Sequence, residues 1–145
     1  MSAAVFEKLH RINYLTAELD ALYHQASFRL GLADSEMRVL YAIYDNGQSC
    51  MVSDIYKQSG ISRQTVNSAL RKLEAEGIVY LEQATGRSKR VCMTDAGRER
   101  ARDTVARIFD AEQATFAAWT DEELDEHVRL LSKFVDGFRE QVGQL

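Results

Sequence analysis

Apolar residues recur every three to four positions along most of this chain, which is the spacing of one face of an α-helix. The first series predicts one long helix and consists of Val5, Leu9, Ile12, Leu15, Leu19, Leu22, Ala26 and Leu30. Gly31 and Asp34 then indicate a turn. Residues 37–44 are apolar on nearly every side, and this pattern predicts a buried helix that supports the rest of the domain.

The C-terminal third of the chain follows the same helical period. Thr94 can cap a helix, and the apolar positions after it predict that this helix runs without a break to Phe116. The series Thr120-Asp121-Glu122-Glu123 is a capping box and predicts a last helix, whose apolar positions continue to Val142. The terminal segments, residues 1–33 and 95–145, are too apolar on one face to be solvated singly. We therefore expect a homodimer interface there; a monomer whose termini pack on its own core is the alternative.

The centre of the chain changes to a different pattern, which predicts a helix-turn-helix. A short helix from Ser53 is followed by Gly60, as in the tight turn of that motif, and then by a second helix. Ser62 is a good N-cap for the second helix, and Gly77 can terminate it in a left-handed conformation. The positions predicted to be buried are Val66, Leu70 and Leu73.

The opposite face of this second helix carries Gln64, Asn67, Ser68 and Arg71. An ordinary solvated helix face is more often rich in Lys and Glu, whereas amide and guanidinium groups can bridge base edges in DNA. Arg pairs with guanine, and Gln or Asn pairs with adenine. This face therefore predicts a recognition helix that enters the major groove, although a merely soluble polar face is the alternative for the helix taken alone.

A basic hairpin is predicted directly after this helix. Residues 78–81 and 91–93 are short β-prone runs, and Gly86 is available for the turn between them. The tip carries Arg87, Lys89 and Arg90, which are suited to phosphate contacts or to insertion into a narrow minor groove. The predicted fold class is mainly α with a small β-hairpin wing, in which long N- and C-terminal dimerisation helices flank a winged helix-turn-helix core at residues 34–94.

The charges are divided in a way that supports this assignment. The whole chain of 145 residues has a net charge of −4. Residues 51–93 carry seven basic and four acidic side chains, a net charge of +3, whereas residues 1–50 carry −2 and residues 94–145 carry −5. The length predicts one domain. The longest apolar run, Val39–Tyr44, is too short to cross a membrane, so we expect a cytoplasmic protein.

Enzymatic chemistry has little support in the sequence, and we expect no enzyme, cofactor or metal site. The three histidines and two cysteines form no cluster with metal-ligand spacing, and there is no phosphate-binding glycine loop. Cys50 precedes the helix-turn-helix and Cys92 lies in the second strand of the wing, where alternation turns it away from Val91 and Met93. An ordinary structural role for both is favoured over a redox-sensing role, which stays open as an alternative.

The chain resembles the MarR (multiple antibiotic resistance regulator) family of winged-helix transcriptional regulators, over nearly its whole length. The matching residues are Ser62-Arg63-Gln64-Thr65-Val66, then Leu73-Glu74 with Gly77-Ile78-Val79, then Arg87 with Val91, Met93, Thr94 and Gly97. One position departs from the family pattern. The family usually has an acidic residue two positions before the wing arginine, where it forms an ion pair with that arginine. This chain has Thr85 there, so Arg87 lacks the ion pair that usually fixes its position.

The resemblance implies a homodimer with interlocked terminal helices that binds a double-stranded DNA operator, most often as a repressor. The predicted DNA-contacting residues are Ser62, Arg63, Gln64, Thr65, Asn67, Ser68, Arg71, Arg87, Lys89 and Arg90. The resemblance also implies a small aromatic or acidic ligand that binds where the dimerisation helices meet the winged core. The candidate ligand-binding residues are His10, Arg11, Tyr14, Arg38 and Tyr41. A winged-helix module for protein–protein contact is the competing function.

Overall fold

The computed structural model describes residues 2–145, and its elements are seven helices and three short strands. Residues up to Ile108 form one compact unit, and Phe109–Leu145 form a second. The elements are α1 (Ala3–Arg29), α2 (Asp34–Asp45), β1 (Ser49–Met51), α3 (Val52–Gln58), α4 (Arg63–Ala75), β2 (Val79–Gln83), β3 (Lys89–Met93), α5 (Asp95–Asp103), α6 (Val105–Phe116) and α7 (Asp121–Val142). The mainly helical fold with a small β wing is confirmed.

Helix α2 lies at the centre of the first unit, as the sequence predicts. Val39, Leu40 and Ile43 have no solvent exposure at all. They belong to one apolar core together with residues of α4 and the sheet, namely Val66, Leu70, Leu73, Val79, Val91 and Met93. Burial of each such side chain contributes about 1.5–3 kcal/mol, so this core holds α4 and the wing in a defined arrangement.

The wing belongs to a three-stranded antiparallel sheet with strand order β1-β3-β2. The predicted two-stranded hairpin is present as β2 and β3, and the structure adds a third strand, β1, at the other edge of β3. Strand β1 pairs with β3 in a register that places Cys50 opposite Val91, and β2 pairs with β3 so that Leu81 is also opposite Val91. Because β3 is paired on both sides, the wing is anchored to the segment that precedes the helix-turn-helix.

The two helices of the helix-turn-helix begin and end where the sequence predicts. Gly60 has φ +70° between α3 and α4, a conformation that glycine adopts without a Cβ penalty. The Ser62 hydroxyl accepts a hydrogen bond from the Thr65 amide at 3.1 Å and so caps α4. Gly77, with φ +73°, follows the end of the helix. These local features set the start and the end of the recognition helix.

The single helix predicted from Thr94 to Phe116 is wrong, because α5 and α6 are separated at Thr104. Thr104 has φ −127° and ψ −91°, outside the helical region. Its hydroxyl donates to the Arg100 carbonyl at 2.7 Å, and its side chain is buried. A short polar side chain that bonds the preceding turn competes with the helical backbone pattern, and this accounts for a break without Gly or Pro.

The apolar stripe of α1 is mostly exposed in the single chain. Phe6 is 65% exposed and Leu22 is 60% exposed, and Leu9, Ile12, Leu15 and Leu19 are also accessible. In the second unit, the apolar positions of α7 are likewise accessible, with Val128 at 63%. The assignment of residues 1–33 and 95–145 as dimerisation helices stays a prediction, and Met1 of that range lies outside the described residues.

Candidate nucleic-acid interface

The polar face of α4 is the largest part of the predicted interface. Gln64, Ser68 and Arg71 are exposed on it, and Arg71 Nη2 donates to Ser68 Oγ at 3.3 Å. At the start of the helix, Ser62 Oγ and Thr65 Oγ1 lie 2.8 Å apart, and both residues are exposed. The face presents hydroxyl, amide and guanidinium groups, which can bond both to base edges and to phosphates.

Asn67 differs from its neighbours because it is only half-exposed and already has a partner. The Tyr56 hydroxyl, on α3, donates to Asn67 Oδ1 at 2.6 Å. The guanidinium carbon of Arg63 lies 5.0 Å from the centre of the same tyrosine ring, within the range of a cation–π contact. Tyr56 was not among the residues predicted from the sequence. An aromatic residue in the middle of α3 is its only sequence signal, and the contact depends on how α3 crosses α4.

The wing brings basic side chains to its tip. Gly86 has φ +64° in the turn, which the Ala84 amide closes by donating to the Ser88 carbonyl at 2.9 Å. Arg87 and Lys89 are exposed, whereas Arg90 is half-buried and lies opposite Glu82 and Met51 in the strand register. Among residues 2–145, no carboxylate forms an ion pair with Arg87.

A cleft of about 550 Å³ lies between α4 and the wing, and it brings the two parts of the predicted site together. Asn67 and Arg71 line it from the helix, and Arg87 and Lys89 line it from the wing. Glu74 is an acidic residue in the same lining. Three cations around one open cleft favour an anionic ligand, and their position beside the polar face of α4 is suited to a DNA backbone that follows the groove.

Lys72 lies on α4 but does not belong to this surface. Its Nζ forms an ion pair with Glu36 Oε1 of α2 at 2.6 Å. The hydrogen bond to Glu36 raises the pKa of Lys72, and the charge of the same carboxylate adds to the effect. Glu36 is buried, so the pair ties α4 to the central helix. The charge of Lys72 is therefore partly offset by Glu36, whereas the arginines of α4 and the basic residues of the wing form no ion pair within residues 2–145.

The two cysteines are free thiols on opposite faces of the sheet. Cys50 is buried, and burial raises its pKa to about 11, with a further increase from the charge of Asp54. Cys92 is half-exposed and its Sγ lies 3.8 Å from Glu82 Oε1. The alternation that turns Cys92 away from Val91 and Met93 is confirmed, since both of these residues are buried. A protonated Cys50 is a poor nucleophile near neutral pH.

The candidate ligand residues fall into two groups. His10, Arg11 and Tyr14 are exposed on α1, where they line a groove of about 460 Å³, and the Arg11 guanidinium lies 5.5 Å from the Tyr14 ring centre. Arg38 Nη1 instead donates to the Ser59 carbonyl at 3.5 Å, and Tyr41 packs against the core. The chain thus brings three of the five residues together and holds the other two on α2.

No group of three His, Cys, Asp or Glu residues within residues 2–145 lies close enough to hold a metal ion. None of the helices within residues 2–145 combines the length and the apolar composition that a membrane span requires.

The chain is similar to known proteins both in sequence and in fold. A family profile described as MarR family matches residues 30–90, which extend from the end of α1 into β3. A MarR family transcriptional regulator from Silicibacter pomeroyi is 26% identical, with 88% of this chain and 93% of that chain covered and a TM-score of 0.68. A search of curated proteins found no significant match.

Two further solved structures are similar, and the description of each names a molecule that acts on or binds to that protein. MepR of S. aureus, in a complex with DNA, is 19% identical, covers 89% of this chain and 96% of its own, and has a TM-score of 0.66. BpsR of Bordetella bronchiseptica, whose DNA binding is regulated by 6-hydroxynicotinic acid, is 24% identical over 86% and 91%, with a TM-score of 0.62. With its winged-helix core, the family profile over residues 30–90 and these neighbours, the chain is similar to MarR family transcriptional regulators.

Proposed function

We propose that the protein is a sequence-specific double-stranded DNA-binding regulator that acts as a homodimer on a pseudo-palindromic operator. One observation carries the proposal. The polar face of α4 and the basic tip of the wing border a common cleft, so that Asn67 and Arg71 lie beside Arg87 and Lys89. This arrangement supports simultaneous contact with base edges and with the phosphates that flank them.

The charge distribution supports the same function. The chain has a net charge of −4, yet residues 51–93 carry +3, and the Lys72–Glu36 pair partly offsets one of those positive charges. Acidic flanking segments repel phosphates and so orient the basic face towards the duplex. Sequence preference then comes from α4, because phosphate contacts position a protein on DNA without reading its sequence.

The homodimer is supported by the exposed apolar stripe of α1. Large apolar side chains at Phe6, Leu9, Ile12, Leu15 and Leu19 are accessible along one helix. A contiguous apolar patch of this kind marks an interaction surface. Helix α7 of the second unit carries its own accessible apolar positions, among them Phe134 and Phe138. A second copy of the chain can cover both stripes, and a two-fold dimer presents two recognition helices to inverted half-sites.

Repression relieved by a small aromatic or acidic ligand is the regulatory part of the proposal. The groove on α1 offers an aromatic ring, a guanidinium and an imidazole at Tyr14, Arg11 and His10, and BpsR provides a precedent for ligand control in a similar fold. A ligand releases DNA only if it binds the DNA-incompetent conformation more tightly. Titration of the protein–operator complex with phenolic and aryl-carboxylate compounds tests this, in wild type and in an Arg11→Ala/Tyr14→Ala variant. We expect weaker release in the variant; equal release would remove both residues from the site.

A winged-helix module for protein–protein contact is the competing function. A protein-binding face is expected to carry aromatic or aliphatic anchors. The exposed face of α4 has none, since it consists of Gln64, Ser68 and Arg71 with Asn67 at its edge. The test is selection of bound duplexes from a random DNA pool, with a Gln64→Ala/Arg71→Ala variant as the control. We expect wild type alone to enrich a defined sequence. Enrichment of no sequence by the folded wild-type protein would contradict the proposal.

A further inference from the structure

We infer that Tyr56 of α3 determines the base preference of Asn67, by holding the carbonyl oxygen of that side chain and leaving its amino group free for DNA. This inference rests on the proposed function. Tyr56 is a positioning residue in this account, since it acts through Asn67 and Arg63. It lies outside the recognition helix, and its effect on specificity is exerted from the preceding helix of the motif.

The contact is built from both ends of the tyrosine side chain. The hydroxyl donates to Asn67 Oδ1 at 2.6 Å, and the ring lies 5.0 Å from the Arg63 guanidinium carbon. Arg63 and Asn67 are four residues apart on α4, so they lie on the same face of the helix. Tyr56 is partly buried and packs against the apolar core. One side chain anchored in the core therefore fixes two side chains of the recognition helix.

The hydrogen-bond inventory of Asn67 then limits what it can recognise. An asparagine side chain has one carbonyl oxygen as acceptor and one amino group as donor. Bidentate pairing with adenine needs both, because adenine presents an acceptor at N7 and a donor at N6. The Tyr56 hydroxyl takes one of the two lone pairs of Oδ1 and holds that oxygen towards α3. This orientation disfavours the parallel pair of bonds with adenine, so the amino group becomes the main group that contacts the base. It matches a base edge that offers acceptors, such as guanine N7 and O6.

The expected preference therefore differs from the one that the residue type alone predicts. Asn67 in isolation predicts adenine, whereas Asn67 bonded to Tyr56 predicts guanine at the contacted position. Asn67 also lines the cleft between α4 and the wing. Its hydrogen bond with Tyr56 therefore orients the Asn67 amino group at the edge of the proposed DNA surface. The Arg63 contact uses the ring and not the hydroxyl, and the two effects of Tyr56 can be separated by substitution.

The experiment compares selection from a random duplex pool by wild type, Tyr56→Phe and Asn67→Ala. The position read by Asn67 is the one at which Asn67→Ala loses its preference. There we expect wild type to favour guanine over adenine by about five-fold or more, the lower end of the discrimination of one good base contact. Tyr56→Phe retains the ring for Arg63 and frees Oδ1, and it should reverse this preference by a similar factor. Preferences at other positions and the salt slope should stay unchanged.

Asn67→Asp is the second variant, and it keeps an acceptor for Tyr56 while it replaces the amino group by oxygen. It should move the preference at this position towards cytosine, whose amino group is a donor. Thermal unfolding of each variant establishes that it is folded. An unaltered guanine preference in Tyr56→Phe, or a uniform loss of affinity at all positions, would overturn the inference while the DNA-binding function stands. Absence of any enriched sequence with wild type would overturn both.

Discussion

Among the glycines of the chain, Gly97 is the one at which an added Cβ would meet the closest contact. A Cβ at this position would lie 1.9 Å from the Ile78 carbonyl oxygen and 3.0 Å from its carbon. Both atoms belong to the backbone, so no side-chain rotation can relieve the clash. We predict that Gly97→Ala lowers the free energy of unfolding by about 2–3 kcal/mol, measured by urea denaturation at one fixed protein concentration.

Gly137→Ala is the matched control for this prediction. Gly137 lies within α7, and nothing comes within 4 Å of the Cβ that would be added there. Alanine is the better helix former by about 1 kcal/mol, so this variant should equal or slightly exceed wild type in stability. Equal stability of Gly97→Ala and wild type would show that α5 does not pack against Ile78 as described.

Cys50 gives a prediction on pH. Burial, with a smaller contribution from Asp54, raises its pKa from 9.0 to about 11. A raised folded-state pKa means that the native protein retains a proton which the unfolded chain releases, so the stabilisation is present below pH 9 and is lost as pH rises towards 11. We predict that unfolding free energy falls over this window, and that the fall is smaller in Cys50→Ala, which removes the thiol.

The same property opposes a redox-sensing role for Cys50. In a Cys92→Ser variant, alkylation of the remaining thiol at pH 8 should be roughly a hundred-fold slower than for the unfolded chain, because the thiolate is the reactive form. The measurement is the rate of mass increase with iodoacetamide, native against urea-unfolded. Equal rates would mean that the thiol is accessible and ionised, and the redox-sensing alternative would regain support.

Residue-level predictions from the sequence succeeded where a period or a cap determines the result. Val66, Leu70 and Leu73 are buried, and Ser62 caps α4. Tyr56 was missed because its contact with Asn67 spans eleven positions and depends on the crossing of two helices. A helical period places residues on one face of their own helix but does not specify the neighbour across a turn.

Helix α4 and the wing have separate tasks in the proposed function, and substitutions can distinguish them. Gln64→Ala removes a proposed base contact and should cost about 1–3 kcal/mol in binding, with relaxed preference at particular bases. Lys89→Ala should weaken binding to all sequences similarly and reduce the salt slope by about one unit. Fluorescence anisotropy over a range of salt concentrations measures both quantities.

Lys133→Ala is the charge-matched control, since Lys133 of α7 is not among the proposed DNA-contacting residues. It should leave affinity and salt slope close to wild type. The assignment of tasks would be refuted by a Gln64→Ala variant with unchanged affinity and base preference. A Lys89→Ala variant that behaves like Lys133→Ala would remove the wing from the phosphate contacts.

Most elements were predictable from the sequence, whereas strand β1 and the break at Thr104 were not. Helices α1, α4 and α7 have sustained apolar periods and side-chain N-caps, and α2 has a nearly continuous apolar run. Strand β1 has three residues, too few to show an alternation, and it exists because β3 offers it a pairing edge. The break at Thr104 depends on one buried side-chain hydrogen bond, which a pattern of apolar residues does not encode.

The exposed stripe of α1 makes a prediction about the whole molecule. A Leu15→Glu/Leu19→Glu variant places two charges on the stripe, where burial against a second copy would desolvate them. We expect it to be monomeric or strongly weakened as a dimer by light scattering at micromolar concentration. Asp20→Asn, on the same helix outside the series, should remain dimeric. A wild-type monomer at these concentrations would contradict the homodimer.

The central claim is that two copies of α4 related by a two-fold axis read one operator, and the consensus selected from a random DNA pool tests it most directly. The account predicts an inverted repeat whose half-sites are centred about 10–10.5 bp apart, one helical turn of B-DNA. Two identical recognition helices related by a two-fold axis can read only inverted half-sites. A consensus without inverted symmetry, or with a single half-site bound by one protomer, would contradict it.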